Sequence, residues 1–156
     1  MANTQSMCTS FMSELMTGTH NFGTAPIRAA STADTFKAAL YLASATVNAS
    51  TTAYSATGEV TGTGYTAGGV ANATPPASTN ASATAGVAYW TPSASVTYTT
   101  VTLTTAFDSV LIYNNTQSNK AVSVHTFGSQ TVTAGTFTLT MPSNTTTAAL
   151  LRLATT

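Results

Sequence analysis

The chain is predicted to be mainly β: a single antiparallel β-sandwich, immunoglobulin-like or jelly-roll-like, with a short N-terminal α-helix. Three observations carry that expectation. Of 156 residues, 36 are Thr, accompanied by six Tyr and six Phe, and such side chains suit the pleated, half-buried surface of a strand. Short apolar or alternating runs separated by Asn, Gly and Pro fill the second half, the spacing of an antiparallel sandwich. A helical repeat is convincing only near the N-terminus.

That repeat is Met7, Cys8, Phe11, Met12, Leu15 and Met16, closed by Gly18 where a helix-ending glycine belongs. It predicts a helix over about residues 4–17 with one apolar face, in which Cys8 is buried as a small hydrophobe. The expected division is a helix in residues 1–18 and a sandwich domain in 19–156. Small residues predict a loop over 23–34. Phe36, Ala38, Leu40 and Leu42 then alternate with Lys37, Ala39 and Tyr41, which predicts a half-buried strand.

Residues 46–57 read as an irregular polar connection leading to Glu59 and Val60. Gly62, Gly64, Gly68 and Gly69 punctuate the next stretch, where Tyr65 is the only large side chain. Glycine takes positive φ without steric cost, so an ordered turn anchored by Tyr65 is expected. Residues 71–88 are almost wholly Ala, Ser, Thr, Asn and Pro and include Pro75-Pro76, which predicts a long low-complexity loop outside the core. Order is expected to return at Tyr89-Trp90. Val96 and Tyr98 share one parity and Val101 and Leu103 the other, so a bulge is predicted near Thr99-Thr100. Four strands follow, over 107–113, 121–127, 131–141 and 150–153, separated by Asn114-Asn115, Gly128 and Pro142-Ser143-Asn144. In the third, Phe137, Leu139 and Met141 share a face opposite Thr136, Thr138 and Thr140.

Charge narrows the function. Four Lys and Arg balance four Asp and Glu, whereas about a quarter of a typical soluble domain is charged and dispersed monomers keep a net charge. The composition therefore predicts a protein packed among copies of itself or other proteins, with a secreted Thr-rich module of neutral surface as the alternative. Threonine faces have no charge to desolvate when covered, and the charges that normally keep sheet edges apart are nearly missing. Cys8 is the only cysteine, which leaves no internal disulfide. The N-terminus lacks the pattern of a signal peptide, and no stretch approaches the length of a membrane span.

Catalytic constellations are weak. His20 and His125 are the only histidines and Glu14, Asp34, Glu59 and Asp108 the only carboxylates. His125, opposite Val122 and Val124 in AVSVHTF, is expected at a surface or interface, and His20 in a loop. No His or Cys spacing resembles a zinc site. The run from Gly62 to Ala67 loosely fits a dinucleotide fingerprint, yet neither the following helix nor the acidic residue that motif requires is present. Arg28, Lys37, Lys120 and Arg152 are isolated cations, unlike a nucleic-acid surface. No catalytic, cofactor-binding or metal-binding residue is expected, and the chain is not expected to be an enzyme.

The segments FMSELMTGTHNF, DTFKAALYLASATVNASTTAYSATGEVTGTGYTAGG, VLIYNNTQSNKAVSVHTFG and TAGTFTLTMPSNTTTAALLRL resemble a family of small structural proteins widespread in tailed bacteriophages. The resemblance covers about residues 11–153, and the run from Glu59 to Gly69 is its most specific part. APIRAAST and VANATPPASTN depart from the family pattern and bear on loops. The resemblance implies a virion component made in the host cytoplasm, with a head decoration or cement protein first and a neck, tail or fibre component second. It implies binding to the major capsid protein or other virion proteins. Self-association, with a trimer as first expectation, is added by the uncharged surface; neither nucleic acid nor membrane is expected as a partner. From another class, a carbohydrate-binding or adhesin sandwich would use Tyr65, Tyr89, Trp90 and Tyr98 as stacking platforms.

Overall fold

Two antiparallel sheets and one short helix make up the protein, seen in a computed structural model that describes residues 3–16, 18–20, 34–71, 82–84, 86–92 and 94–154. In chain order the elements are β1 (Ser6–Met7), α1 (Thr9–Met16), β2 (Phe36–Leu42), β3 (Val70–Ala71), β4 (Ser82–Thr84), β5 (Val87–Trp90), β6 (Val96–Asn114), β7 (Lys120–Leu139) and β8 (Leu151–Ala154). The larger sheet has the order β1-β7-β6-β2-β3 and the smaller β4-β5-β8. The expected mainly β class with antiparallel sheets and a short helix is what is found.

The predicted helix is shorter at its N-terminus because tertiary pairing claims the preceding residues. Ser6 and Met7 pair with Val124 and Ser123 of β7, and the Cys8 N–H continues that ladder to the Val122 carbonyl. The Thr9 N–H then donates to Ala49 O, 2.9 Å away, which satisfies one of the donors a helix start leaves open. At the other end Gly18, at φ 67°, donates to Leu15 O at 3.0 Å while Thr19 N–H reaches Glu14 O at 2.8 Å. This is the Schellman closure that a C-terminal glycine permits. Cys8 is fully buried, just ahead of the helix rather than within it.

β2 lies between β6 and β3 and is more enclosed than its alternation suggests. Phe36, Ala38, Ala39, Leu40 and Tyr41 are all buried, so both faces are covered. Phe36 meets Trp90 of the smaller sheet with ring centroids 5.7 Å apart, and the Tyr41 hydroxyl donates to the Ser55 carbonyl. Residues 58–60 extend the free edge of β2 through the Tyr41–Glu59 bridge and the Val60 N–H to Leu40 O bond of 3.0 Å.

The strands expected over 107–113, 121–127 and 131–141 are parts of two long ones. β6 runs unbroken through the Thr99-Thr100 bulge to Asn114, and β7 runs through Gly128. Gly128 takes φ 76° inside β7, where the register shifts between Phe107 and Ser109 of β6, so it bends the strand instead of ending it. Thr100 at φ 53° marks the predicted bulge. The extra residue keeps Val96, Tyr98, Val101 and Leu103 all buried despite their change of parity. Phe137, Leu139 and Met141 are half-buried opposite exposed Thr136, Thr138 and Thr140, as predicted.

Within the low-complexity loop expected over 71–88, Ser82–Thr84 instead forms a strand, and the order expected from Tyr89 begins two residues earlier at Val87, because β5 gains β8 as a second partner, with Trp90 opposite Leu151. Residues 72–81, the core of the expected loop, lie outside the described residues, as do residues 23–33 of the loop expected over 23–34.

Candidate functional site

The residues best able to support chemistry are drawn into the interior. His20, expected in a loop, is 5 % exposed and edge-on to Phe11 at 4.8 Å. Its Nε2 lies 2.7 Å from Glu14 Oε2, and its Nδ1 lies 3.1 Å from Asn114 Nδ2. Because the Asn114 amide nitrogen donates, Nδ1 accepts and the ring carries its proton on Nε2. Asn114 also donates to Asp34 Oδ2 at 2.7 Å, and Gln117 donates to Asp34 Oδ1 at 3.1 Å. Lys120 Nζ completes the cluster on Glu14 Oε1 at 2.6 Å.

This knot ties the end of α1 to Asp34, two residues before β2, and to the β6–β7 turn. Burial alone would raise the Glu14 carboxyl, but the Lys120 and His20 hydrogen bonds and charges outweigh it and hold the group below its ordinary value. Burial lowers His20, with Glu14 pulling the other way. The hydrogen bonds of the knot run between its own members, which makes it a structural clamp.

A second buried acid lies behind the glycine turn. Glu59 is 5 % exposed; its Oε2 accepts from the Tyr54 hydroxyl at 2.6 Å and its Oε1 from the Tyr65 hydroxyl at 2.7 Å and Gly68 N–H at 2.8 Å. The Tyr65 oxygen in turn accepts the Leu40 N–H at 3.0 Å. Tyr65 is thus anchored as expected, and burial followed by Glu59 pushes its phenol far above the ordinary value. Gly69 sits at φ 69° with a Cβ position that would overlap the Ala38 carbonyl oxygen, so the chain passes β2 at a distance only glycine permits.

Ser123 Oγ is 2.9 Å from His125 Nε2, and Ser123 is 1 % exposed. His125 is half-buried, and burial pushes it down to about 4, which leaves the ring neutral at pH 7. Among the described residues no group of three His, Cys, Asp or Glu could hold a metal ion, and no helix is long and apolar enough to cross a membrane. Of the four candidate stacking residues, Trp90 and Tyr98 are 2 % and 3 % exposed, while Tyr65 and Tyr89 are half-buried.

What lies on the outside is distinctive. Arg28 is outside the described residues; of the other seven charged residues only Arg152 is exposed, while Lys37, Asp108, Lys120 and Glu14 are half-buried and Asp34 and Glu59 buried. The distal part of the β6–β7 ribbon turns Val101, Leu103, Val132 and Phe137 inward and Thr97, Thr104, Thr136 and Thr138 outward. No charge occurs between Ala121 and Leu150. β1 covers β7 only at Ser123 and Val124, so from 127 to 139 one edge of β7 has no strand beside it among the described residues.

Sequence reasoning identified the uncharged threonine faces but not the inward turn of the few charges. Glu14, Asp34 and Glu59 find partners that only the folded chain assembles, up to 106 residues away for Lys120. Compared with known proteins, the chain matches no family model, no curated protein and no solved structure.

Proposed function

We propose that the protein is a structural component of a tailed-phage virion, with head decoration as the favoured role, binding the major capsid protein and stabilising the shell. The observation that supports this reading best is the near absence of exposed charge. A threonine-covered ribbon with an open, uncharged strand edge is a liability for a dispersed monomer and an advantage where neighbours cover it, since no ion has to shed its water on contact. Self-association into a closed ring, a trimer first, accords with the same surface, because closed symmetry stops edge-to-edge growth.

The two sheets are read as the halves of an open sandwich whose closure belongs to the assembled state. The alternative role within the virion is a neck, tail or fibre component. Polypeptide stoichiometry in purified virions separates the two: on the order of hundreds of copies per particle fits a shell protein, and about a dozen or fewer fits neck or tail. Its absence from virions refutes both.

A further inference from the structure

β1 and β8 are the terminal strands of their two sheets, and both line one cleft of about 250 Å³ that also includes Ser123 and His125. Beside it, sharing Met7, Leu151 and Arg152, lies an apolar hollow of about 60 Å³ formed with Phe11, Leu15 and Trp90. Leu153 at its rim is 43 % exposed. β5 occupies one edge of β8, and no strand occupies the other among the described residues.

Arg152 stands where the two depressions meet. Among the described residues it is the one exposed charged residue, and no carboxylate among them lies within ion-pair distance of it. The described carboxylates are engaged elsewhere: Glu14 with Lys120 and His20, Asp34 with Asn114 and Gln117, Glu59 with Tyr54, Tyr65 and Gly68, and Asp108 with Asn3 at 2.6 Å. Among the described residues a second copy therefore brings Arg152 no carboxylate that lacks hydrogen-bond partners of its own.

We propose that this cleft receives an extended, acidic segment of a different virion protein, which adds a strand beside β8, seats one aliphatic side chain in the hollow and sets a carboxylate on Arg152. The inference rests on the virion reading and names the partner's chemistry. Backbone hydrogen bonds along the open edge supply affinity, while the hollow and the arginine select the side chains. A lone cation on an otherwise neutral, partly apolar wall is a stronger selector than the same charge among many, because no neighbouring ion competes for the carboxylate.

The test is binding to shells stripped of the native protein, with amide exchange measured on wild type free and bound. Arg152→Glu is expected to bind about tenfold more weakly or worse, and Arg152→Lys within about threefold of wild type. The Leu151–Ala154 amides should exchange at least about tenfold more slowly on the shell. If Arg152→Glu fails to fold, Arg152→Gln replaces it, with a loss of about fivefold expected. Wild type that binds no shell overturns the head-decoration reading and this inference with it. Wild type that binds while the Glu or Gln variant binds equally well overturns the inference alone, as does unchanged amide exchange in β8.

Discussion

Glu59 is the residue on which the glycine turn is built. A carboxylate buried with three donors gains from charge-assisted bonds, and removing one partner leaves the rest unsatisfied. Tyr65→Phe takes a donor from Glu59 and the acceptor from the Leu40 N–H; the expected cost is about 1–3 kcal/mol, or roughly 2–4 °C in Tm for each kcal/mol. Thermal melting checks this, and a variant that melts with wild type contradicts it. Gly69→Ala is expected to cost more, since both the positive φ and the Ala38 carbonyl oppose a side chain. Equal melting of Gly69→Ala and wild type would mean that the turn is free to move. Tyr65 was legible as an anchor because it is the lone large residue among glycines. Glu59 was not, because one acid in a short strand looks the same in sequence whether it faces water or three donors.

At the scale of elements, α1 is held by its apolar face and by the polar knot. Phe11 is 2 % exposed, so the apolar face is folded back into the core, and Phe11 and Leu15 reach the surface only in the small hollow beside β8. Phe11→Asp is accordingly expected to unfold the chain, whereas Met12, 46 % exposed, should tolerate Asp with a change within about 0.5 kcal/mol. Loss of cooperative melting for the first variant alone is the expected result.

The histidines add an acid limit. Folded His20 and His125 have lowered affinity for protons because of burial, while in the unfolded chain they bind protons near pH 6.5. Below that pH the unfolded state takes up protons that the folded state resists, so stability is complete above about 6.5 and declines toward about 4. Glu14, held below its ordinary value, acts in the same direction at lower pH. Tm should fall steadily between pH 6.5 and 4, and His125→Gln should flatten the fall. A Tm constant over that window would contradict the burial of both rings. The existence of β2, the bulge at Thr100 and the Gly18 closure could be read from local pattern. The continuity of β6 and β7 could not, because Gly128 looks like a strand end until its partner strand holds it in a bend.

For the whole molecule, composition was the most informative signal. Few charges and abundant Thr predicted a surface suited to contact, and folding sharpens that surface by turning Asp34 and Glu59 inward and pairing Glu14 with Lys120. The partner and the site of contact were not legible, because they depend on which edges the two sheets leave open. The central claim is that the threonine face and open β7 edge are covered in a particle. Thr104 and Thr136 are exposed, so lysine at both should leave folding intact while adding two cations that a neighbour must desolvate. The most direct measurement is the number of copies per purified particle for wild type and for Thr104→Lys/Thr136→Lys. The account predicts on the order of hundreds of copies of wild type and less than about a tenth of that for the folded variant; a variant that fills particles as wild type does would contradict it.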